Sequence, residues 1–128
     1  HNDSGKFEST FVGVKVQETK NIMLQPLIGT ELGIWVAHGE GRFSFDEAEE
    51  KYDIPVKFVS ADYPANPNGS QFNAAAVSSR DGRHLAIMPH LERSLFSWNW
   101  PHREGFKPDD ELSPWMLAFQ AAYRWVSK

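Results

Sequence analysis

The sequence lacks cysteine, a membrane-length apolar run and any cluster of basic residues. Each absence excludes something. Without cysteine there are no disulfides, no thiolate metal ligands and no thiol nucleophile within the chain, a composition that fits a cytoplasmic protein. No apolar stretch approaches the roughly 20 residues needed to cross a bilayer. Thirteen Lys and Arg against 17 Asp and Glu leave a net charge of -4, which argues against nucleic acid or an anionic membrane as partner. The polar start, His1-Asn2-Asp3-Ser4-Gly5, is no signal peptide. It is also not an initiator Met, so the expectation is a processed product or a piece of a longer protein.

What is present is enough for one core. In 128 residues, 41% are hydrophobic and 13% aromatic, which places the chain among single globular domains. Val12, Val14 and Val16 alternate with Gly13 and Lys15, so Phe7 to Val16 reads as a strand with one buried face. Ile34 to Ala37 and Val56 to Val59 read as further short strands, and Phe72 to Val77 as one built from small residues. Asp46 to Tyr52 reads as a short polar helix capped by Ser44 or Asp46. Two prolines and Asn68-Gly69 make Asp62 to Ser70 a loop. Asp81-Gly82 predicts a type I′ hairpin turn leading into a strand that ends at Met88. Ser94 to Glu104 reads as irregular or a short helix. Ser113 as N-cap and Pro114 at the first helical position open a helix to Val126, with Trp115, Phe119, Ala122 and Val126 on one face.

Two stretches carry chemistry. Leu85-Ala86-Ile87-Met88 is an apolar run stopped by Pro89 and followed at once by His90, Glu92 and Arg93. If the backbone stays extended past Pro89, His90 and Glu92 project to the same side. The carboxylate then fixes the imidazole tautomer and stabilises the imidazolium, the orienter and base of a nucleophile–His–acid triad. Ala37-His38-Gly39-Glu40-Gly41-Arg42 repeats the H-x-E spacing, with glycines that permit close approach of a ligand or a tight turn. Two H-x-E pairs leave open a second reading, a stand-alone metal- or ligand-binding module built on His38 and His90. The loop from Tyr63 to Ser70 offers Asn66 and Asn68 as recognition amides or as turn formers. Of the five tryptophans, Trp115 reads as core, while Trp98 and Trp100 are candidates for packing against another domain.

Phe7-Glu8-Ser9-Thr10-Phe11-Val12, Ala37 to Arg42, Tyr63 to Ser70, Asp81-Gly82-Arg83, Met88 to Arg93 and Ser113-Pro114-Trp115 occur in that order. Together, and nearly end to end, they resemble the C-terminal part of the glutamine amidotransferase domain of the phosphoribosylformylglycinamidine synthase family. The resemblance implies the C-terminal portion of a class I amidotransferase α/β sandwich. It would have a mixed sheet of short strands and a C-terminal helix, with residues 1–128 forming a single, partial domain. It implies that His90 and Glu92 are the catalytic pair of a Cys-His-Glu triad whose cysteine lies upstream. His38, Glu40, Asn66 and Asn68 become candidates for the glutamine site or for the contact with a synthetase domain. Glutamine would be the substrate, and the missing half of the domain and the synthetase domain the partners. The implied reaction is the ATP-dependent conversion of formylglycinamide ribonucleotide to formylglycinamidine ribonucleotide, a step of purine biosynthesis. ATP and Mg²⁺ belong to the synthetase domain, and neither a cofactor nor a metal is expected in this chain. The isolated chain is expected to be inactive and to self-associate through surfaces left uncovered. One departure concerns the motif itself. The family pattern is commonly Pro-His-Pro-Glu-Arg, and here Leu91 replaces the second proline.

Overall fold

A computed structural model describes residues 1–128. Its centre is a five-stranded sheet of β1 (Glu8–Val16), β2 (Glu31–His38), β3 (Asp53–Phe58), β4 (Ala74–Ser78) and β5 (Leu85–Ile87), in the order β2-β1-β3-β4-β5. One helix, α1 (Met116–Val126), follows the sheet. The α/β class expected from the sequence is the class observed. The sheet, however, is not mixed within this chain, because every pairing is antiparallel. The reason lies in the connections. Adjacent parallel strands need a long crossover, usually helical, and here the one α-helix comes after the last strand. β2 and β3 do run in the same direction, but β1 lies between them.

Alternation along β1 and β2 sorts side chains onto two faces. The register pairs Val12 with Ile34 and Val14 with Leu32 on one face, and Phe11 with Trp35 on the other. The first face is the core, where Val14, Val16, Ile34, Val36 and Val56 are fully buried beside Leu24, Leu27, Leu91, Trp115 and Ala118. On the second face the Phe11 and Trp35 rings meet edge-on at 5.0 Å, and Trp100 joins Phe11 at 5.2 Å. Gly33 is required there: a β-carbon at 33 would run into the Phe11 ring. Trp100 is therefore part of the core packing, while Trp98, 61% exposed, stacks only on Phe96.

Three local expectations are corrected. Asp46 to Tyr52 forms no α-helix, only a single 3-10 turn at Glu49–Lys51. Asp46, Glu47, Glu49 and Glu50 crowd a segment with no apolar stripe, and β3 starts at Asp53, leaving too little length for a cooperative helix. The β4–β5 hairpin exists, but its turn is not type I′, since of Asp81 and Gly82 only Gly82 has positive φ. The turn is instead held by Gly82 N–H donating to the Ser79 carbonyl and by side-chain bonds between Ser79 and Asp81. Finally, α1 does not bury the face expected of it. Trp115 and Ala118 are buried, but Phe119 is 37% and Val126 68% exposed. The helix packs onto the 3-10 turn Gln25–Leu27, while Leu117, Phe119, Tyr123 and Val126 stay exposed and Trp125 is covered in part by the Arg83 guanidinium.

The helix starts later than Ser113-Pro114 predicted: Pro114 and Trp115 form a turn, and α1 begins at Met116 with no side-chain cap. Ser113 Oγ accepts the Trp115 N–H at 3.2 Å and donates to the Ser94 carbonyl at 2.5 Å. Trp115 then carries much of the packing, since its indole is fully buried and its N–H donates to the Gly33 carbonyl at 2.8 Å. Trp115→Ala is expected to cost about 3–5 kcal/mol in unfolding free energy, measured by urea denaturation. A loss below about 1 kcal/mol would show that the indole does not anchor α1.

Candidate active site

The candidate site lies where the chain leaves β5 and returns along the open edge of β2. His90 N–H donates to the Trp35 carbonyl at 2.8 Å, a lone antiparallel bridge that continues the sheet by one residue. Ser94 closes the clamp. Its hydroxyl accepts the Trp35 N–H at 3.3 Å and donates to the His90 carbonyl at 3.1 Å. The backbone of His90 is thus tied to β2 on both sides.

His90 and Glu92 are brought together, though not by an extended backbone. Residues Leu91–Arg93 form a 3-10 turn, which folds Glu92 back to place Oε1 2.7 Å from His90 Nδ1. Leu91 is buried and belongs to the core, so apolar packing fixes the turn. Arg93 is the weaker partner of Glu92, with Nε 3.9 Å away. A carboxylate can only accept, so Glu92 holds the proton on His90 Nδ1 and leaves Nε2 as the basic nitrogen. Partial burial alone would raise the Glu92 carboxyl. The hydrogen bond from His90, its own backbone N–H and the nearby His90 and Arg93 charges outweigh that and hold it below the usual carboxylate range.

The Ala37-to-Arg42 stretch leaves the end of β2 and is held by neighbours far away in sequence. Asn2, itself buried, donates from Nδ2 to the His38 carbonyl at 2.8 Å and accepts the Gly41 N–H at 3.3 Å. Asn68 Nδ2 donates to the Gly41 carbonyl at 2.8 Å. Asn68 Oδ1 takes the Ser70 N–H and hydroxyl at 3.0 and 2.7 Å. Asn66 uses its amide in the same way, on the Ser70 carbonyl and on the Gly69 and Ser70 N–H groups. Both amides are engaged within the loop and its contact with residue 41, so their geometry is that of a scaffold. Glu40 faces solvent and meets His1 at 3.1 Å, not His38. The two H-x-E pairs therefore do not converge. No group of three His, Asp or Glu side chains gathers as a metal site would require, and the metal-module reading is not supported.

His38 differs from the other candidates. It pairs in register with Glu8 across β1 and β2, on the same face as Ile34 and Val36. Both its ring nitrogens are buried and neither has a hydrogen-bond partner in the chain. Its ring covers Gly41, where a β-carbon would collide with it. Burial is the main cause that pushes the His38 imidazole below its ordinary 6.5; its own backbone and Glu8 work against this, and His90 adds to it. Asn2 and Ser94 had no sequence signal of their own. Each is a small polar residue whose role comes only from a partner dozens of positions away.

The chain matches the CobB/CobQ-like glutamine amidotransferase domain over residues 1–126, and it belongs to that family. Within it, the chain is similar to phosphoribosylformylglycinamidine synthases along nearly its whole length. It is 43% identical over 139 residues to the Dictyostelium discoideum enzyme, covering 95% of this chain and 10% of that one. To the Homo sapiens enzyme it is 40% identical, covering 98% of this chain and 10% of that one. The chain thus spans about a tenth of the length of these relatives. Among solved structures, PurLQS from Thermotoga maritima superposes with a TM-score of 0.73 at 23% identity, over 98% of this chain and 50% of that one, a likeness of fold. No helix is long and apolar enough to cross a membrane.

The depressed His38 imidazole sets a pH dependence with a definite sign. Its neutral form is the one the fold accepts, so the associated stability is full above 6.5 and declines as pH falls through 6.5 toward the folded value. Melting temperatures between pH 8 and pH 5 are expected to fall more steeply for the wild-type chain than for His38→Gln. Parallel curves for the two would show that His38 titrates as it does unfolded.

Proposed function

We propose that this chain is the C-terminal part of the glutaminase domain of a phosphoribosylformylglycinamidine synthase, with His90 and Glu92 as the base and orienter of its triad. One observation carries the assignment of the pair. His90 Nδ1 lies 2.7 Å from Glu92 Oε1 on a segment clamped to β2, which leaves Nε2 free to receive a proton. The rest of the reading is supported by the family match and by the named relatives, each about ten times longer than this chain.

The nucleophile would be a cysteine in the upstream half of the domain. His90 Nε2 accepts the thiol proton as sulfur attacks the γ-carboxamide of glutamine. Glu92 holds the resulting imidazolium in place and offsets its charge. The same proton then passes to the departing amine, which leaves as ammonia, and a thioester remains. Water, deprotonated by His90, hydrolyses the thioester and returns glutamate and the free thiol. The ammonia would serve the synthetase domain, which brings ATP and Mg²⁺ to the amidation of formylglycinamide ribonucleotide. The enzyme would work in the cytoplasm, although one relative, from Arabidopsis thaliana, carries the description chloroplastic/mitochondrial.

In the full-length enzyme, His90→Ala is expected to lower glutamine-dependent kcat by about 10³-fold or more, as expected when one member of a triad is lost. Glu92→Gln is expected to lower it less. Synthesis driven by added ammonium salts, which bypasses the triad, is expected to persist in both. Glutamine-dependent turnover at the wild-type rate in His90→Ala would overturn the role given to His90.

A further inference from the structure

Asn68-Gly69 is a part of the Tyr63-to-Ser70 loop that the reaction does not use, and it is chemically reactive toward itself. Asn68 is the one asparagine of the chain that is followed by glycine. Asparagine is thermolabile, most of all before glycine, whose backbone nitrogen no side chain shields. That nitrogen can attack the side-chain amide of its neighbour. The Gly69 nitrogen bonds to Asn68 Cγ, the Cγ–Nδ2 bond breaks, and the Gly69 proton leaves with Nδ2 as ammonia. Water then opens the succinimide ring at either carbonyl, which leaves aspartate or isoaspartate at position 68.

The fold cannot dispense with either member of the pair. Gly69 has φ +74°, and a β-carbon there would run into the Asp3 carboxylate. Asn68 is fully buried, and its Nδ2 ties the loop to the Gly41 carbonyl at 2.8 Å. Aspartate in its place would set a carboxylate oxygen against that carbonyl, two acceptors with no proton between them. Isoaspartate would also lengthen the backbone of a loop whose every amide is engaged. Either product undoes the tie between this loop and the turn after β2.

The hydrogen bonds divide unevenly between the two reacting groups. Asn68 Oδ1 accepts the Ser70 N–H at 3.0 Å and the Ser70 hydroxyl at 2.7 Å. Two donors on a carbonyl oxygen polarise it and favour the oxyanion that attack creates. The amide is therefore held ready, and restraint falls on the nucleophile. Gly69 N–H donates to Asn66 Oδ1 at 3.1 Å, so the nitrogen keeps the proton it must give up to attack. Asn66 is itself buried and fixed there. Its Nδ2 donates to the Ser70 carbonyl at 3.0 Å, and its Oδ1 also takes the Ser70 N–H at 3.2 Å.

We propose that Asn68-Gly69 is a self-modification site, poised for succinimide formation, and that the Asn66 side chain keeps it silent in the folded protein. The inference is independent of the roles given to His90 and Glu92. The pair acts as a record of loop opening: once Asn66 releases Gly69, the change at position 68 is covalent, and refolding does not reverse it.

The full-length enzyme, incubated at mildly alkaline pH and analysed by peptide mapping with mass spectrometry, tests this. The measured quantity is the rate at which Asn68 becomes aspartate or isoaspartate. Folded wild type is expected to convert at least about 10-fold more slowly than the same protein in urea, and folded Asn66→Ala at least about 10-fold faster than folded wild type. Circular dichroism checks that Asn66→Ala is folded. Should that variant fail to fold, hydrogen exchange at the Gly69 amide of the wild type reads removal of the same proton, and is expected to be slow. Three results overturn the proposal. The first is folded wild type converting as fast as the unfolded chain. The second is folded Asn66→Ala converting no faster than wild type, which would show that burial alone protects the pair. The third is a Gly69 amide that exchanges at the rate of an exposed glycine.

Discussion

The hydrogen bond from His90 N–H to the Trp35 carbonyl is the contact on which the geometry of the site depends. It joins an irregular segment to the edge of a sheet, where an unpaired carbonyl would otherwise face outward. Because strand positions are fixed by the β1–β2 register, one backbone bond transfers that register to His90. Ser94 doubles the tie with a single hydroxyl that accepts the Trp35 N–H of β2 and donates to the His90 carbonyl. Glu92, on the turn that follows, is placed with it and meets the His90 ring at 2.7 Å. Removing this tie would leave His90 on a loop, with its side chain free to choose among rotamers.

Around that tie the protein uses amides as carpentry. Asn2, Asn66 and Asn68 are almost fully buried, and each satisfies backbone groups that the Ala37-to-Arg42 and Tyr63-to-Ser70 loops would leave unpaired. An unmade bond of this kind costs about 1–3 kcal/mol, so three hydrogen-bonded amides together stabilise two loops that have no regular structure of their own. The charged side chains of the same loops, Glu40 and Arg42, pair at the surface with His1 and Asp3. Such exposed pairs contribute little. The loops are held by neutral hydrogen bonds in the interior and not by their visible charges.

Much of this could be read from the residues. Val12, Val14 and Val16 disclose β1 and its buried face through period two alone, while Ser113-Pro114 discloses that a helix follows but not its first residue, Met116. The closeness of His90 and Glu92 followed from their spacing, although the backbone achieves it by a 3-10 turn and not by extension. What could not be read depends on long-range partners. Asn68 looks the same in sequence whether it faces a ligand or a backbone carbonyl 27 positions away. The sheet order could not be read either, since β3 pairs with β1 across a connection that passes β2 by. The far end of α1 misled for a related reason: an apolar stripe states that a face wants cover, but not that the cover is in the same stretch of chain. The resemblance supplied what spacing could not, namely the glutamine amidotransferase family to which the chain belongs.

Leu91 occupies the place between His90 and Glu92 where the sequence resemblance leads one to expect a proline. Proline would stiffen that place locally, by closing a backbone angle. Leucine stiffens it remotely, by sinking its side chain into the same core as Val14, Ile34 and Trp115. The two solutions differ in what sets the site in motion. A proline-held turn keeps its shape even when the surrounding layer loosens. A leucine-held turn is only as steady as the packing beneath it, so the spacing of His90 and Glu92 is tied to the core that Leu91 enters.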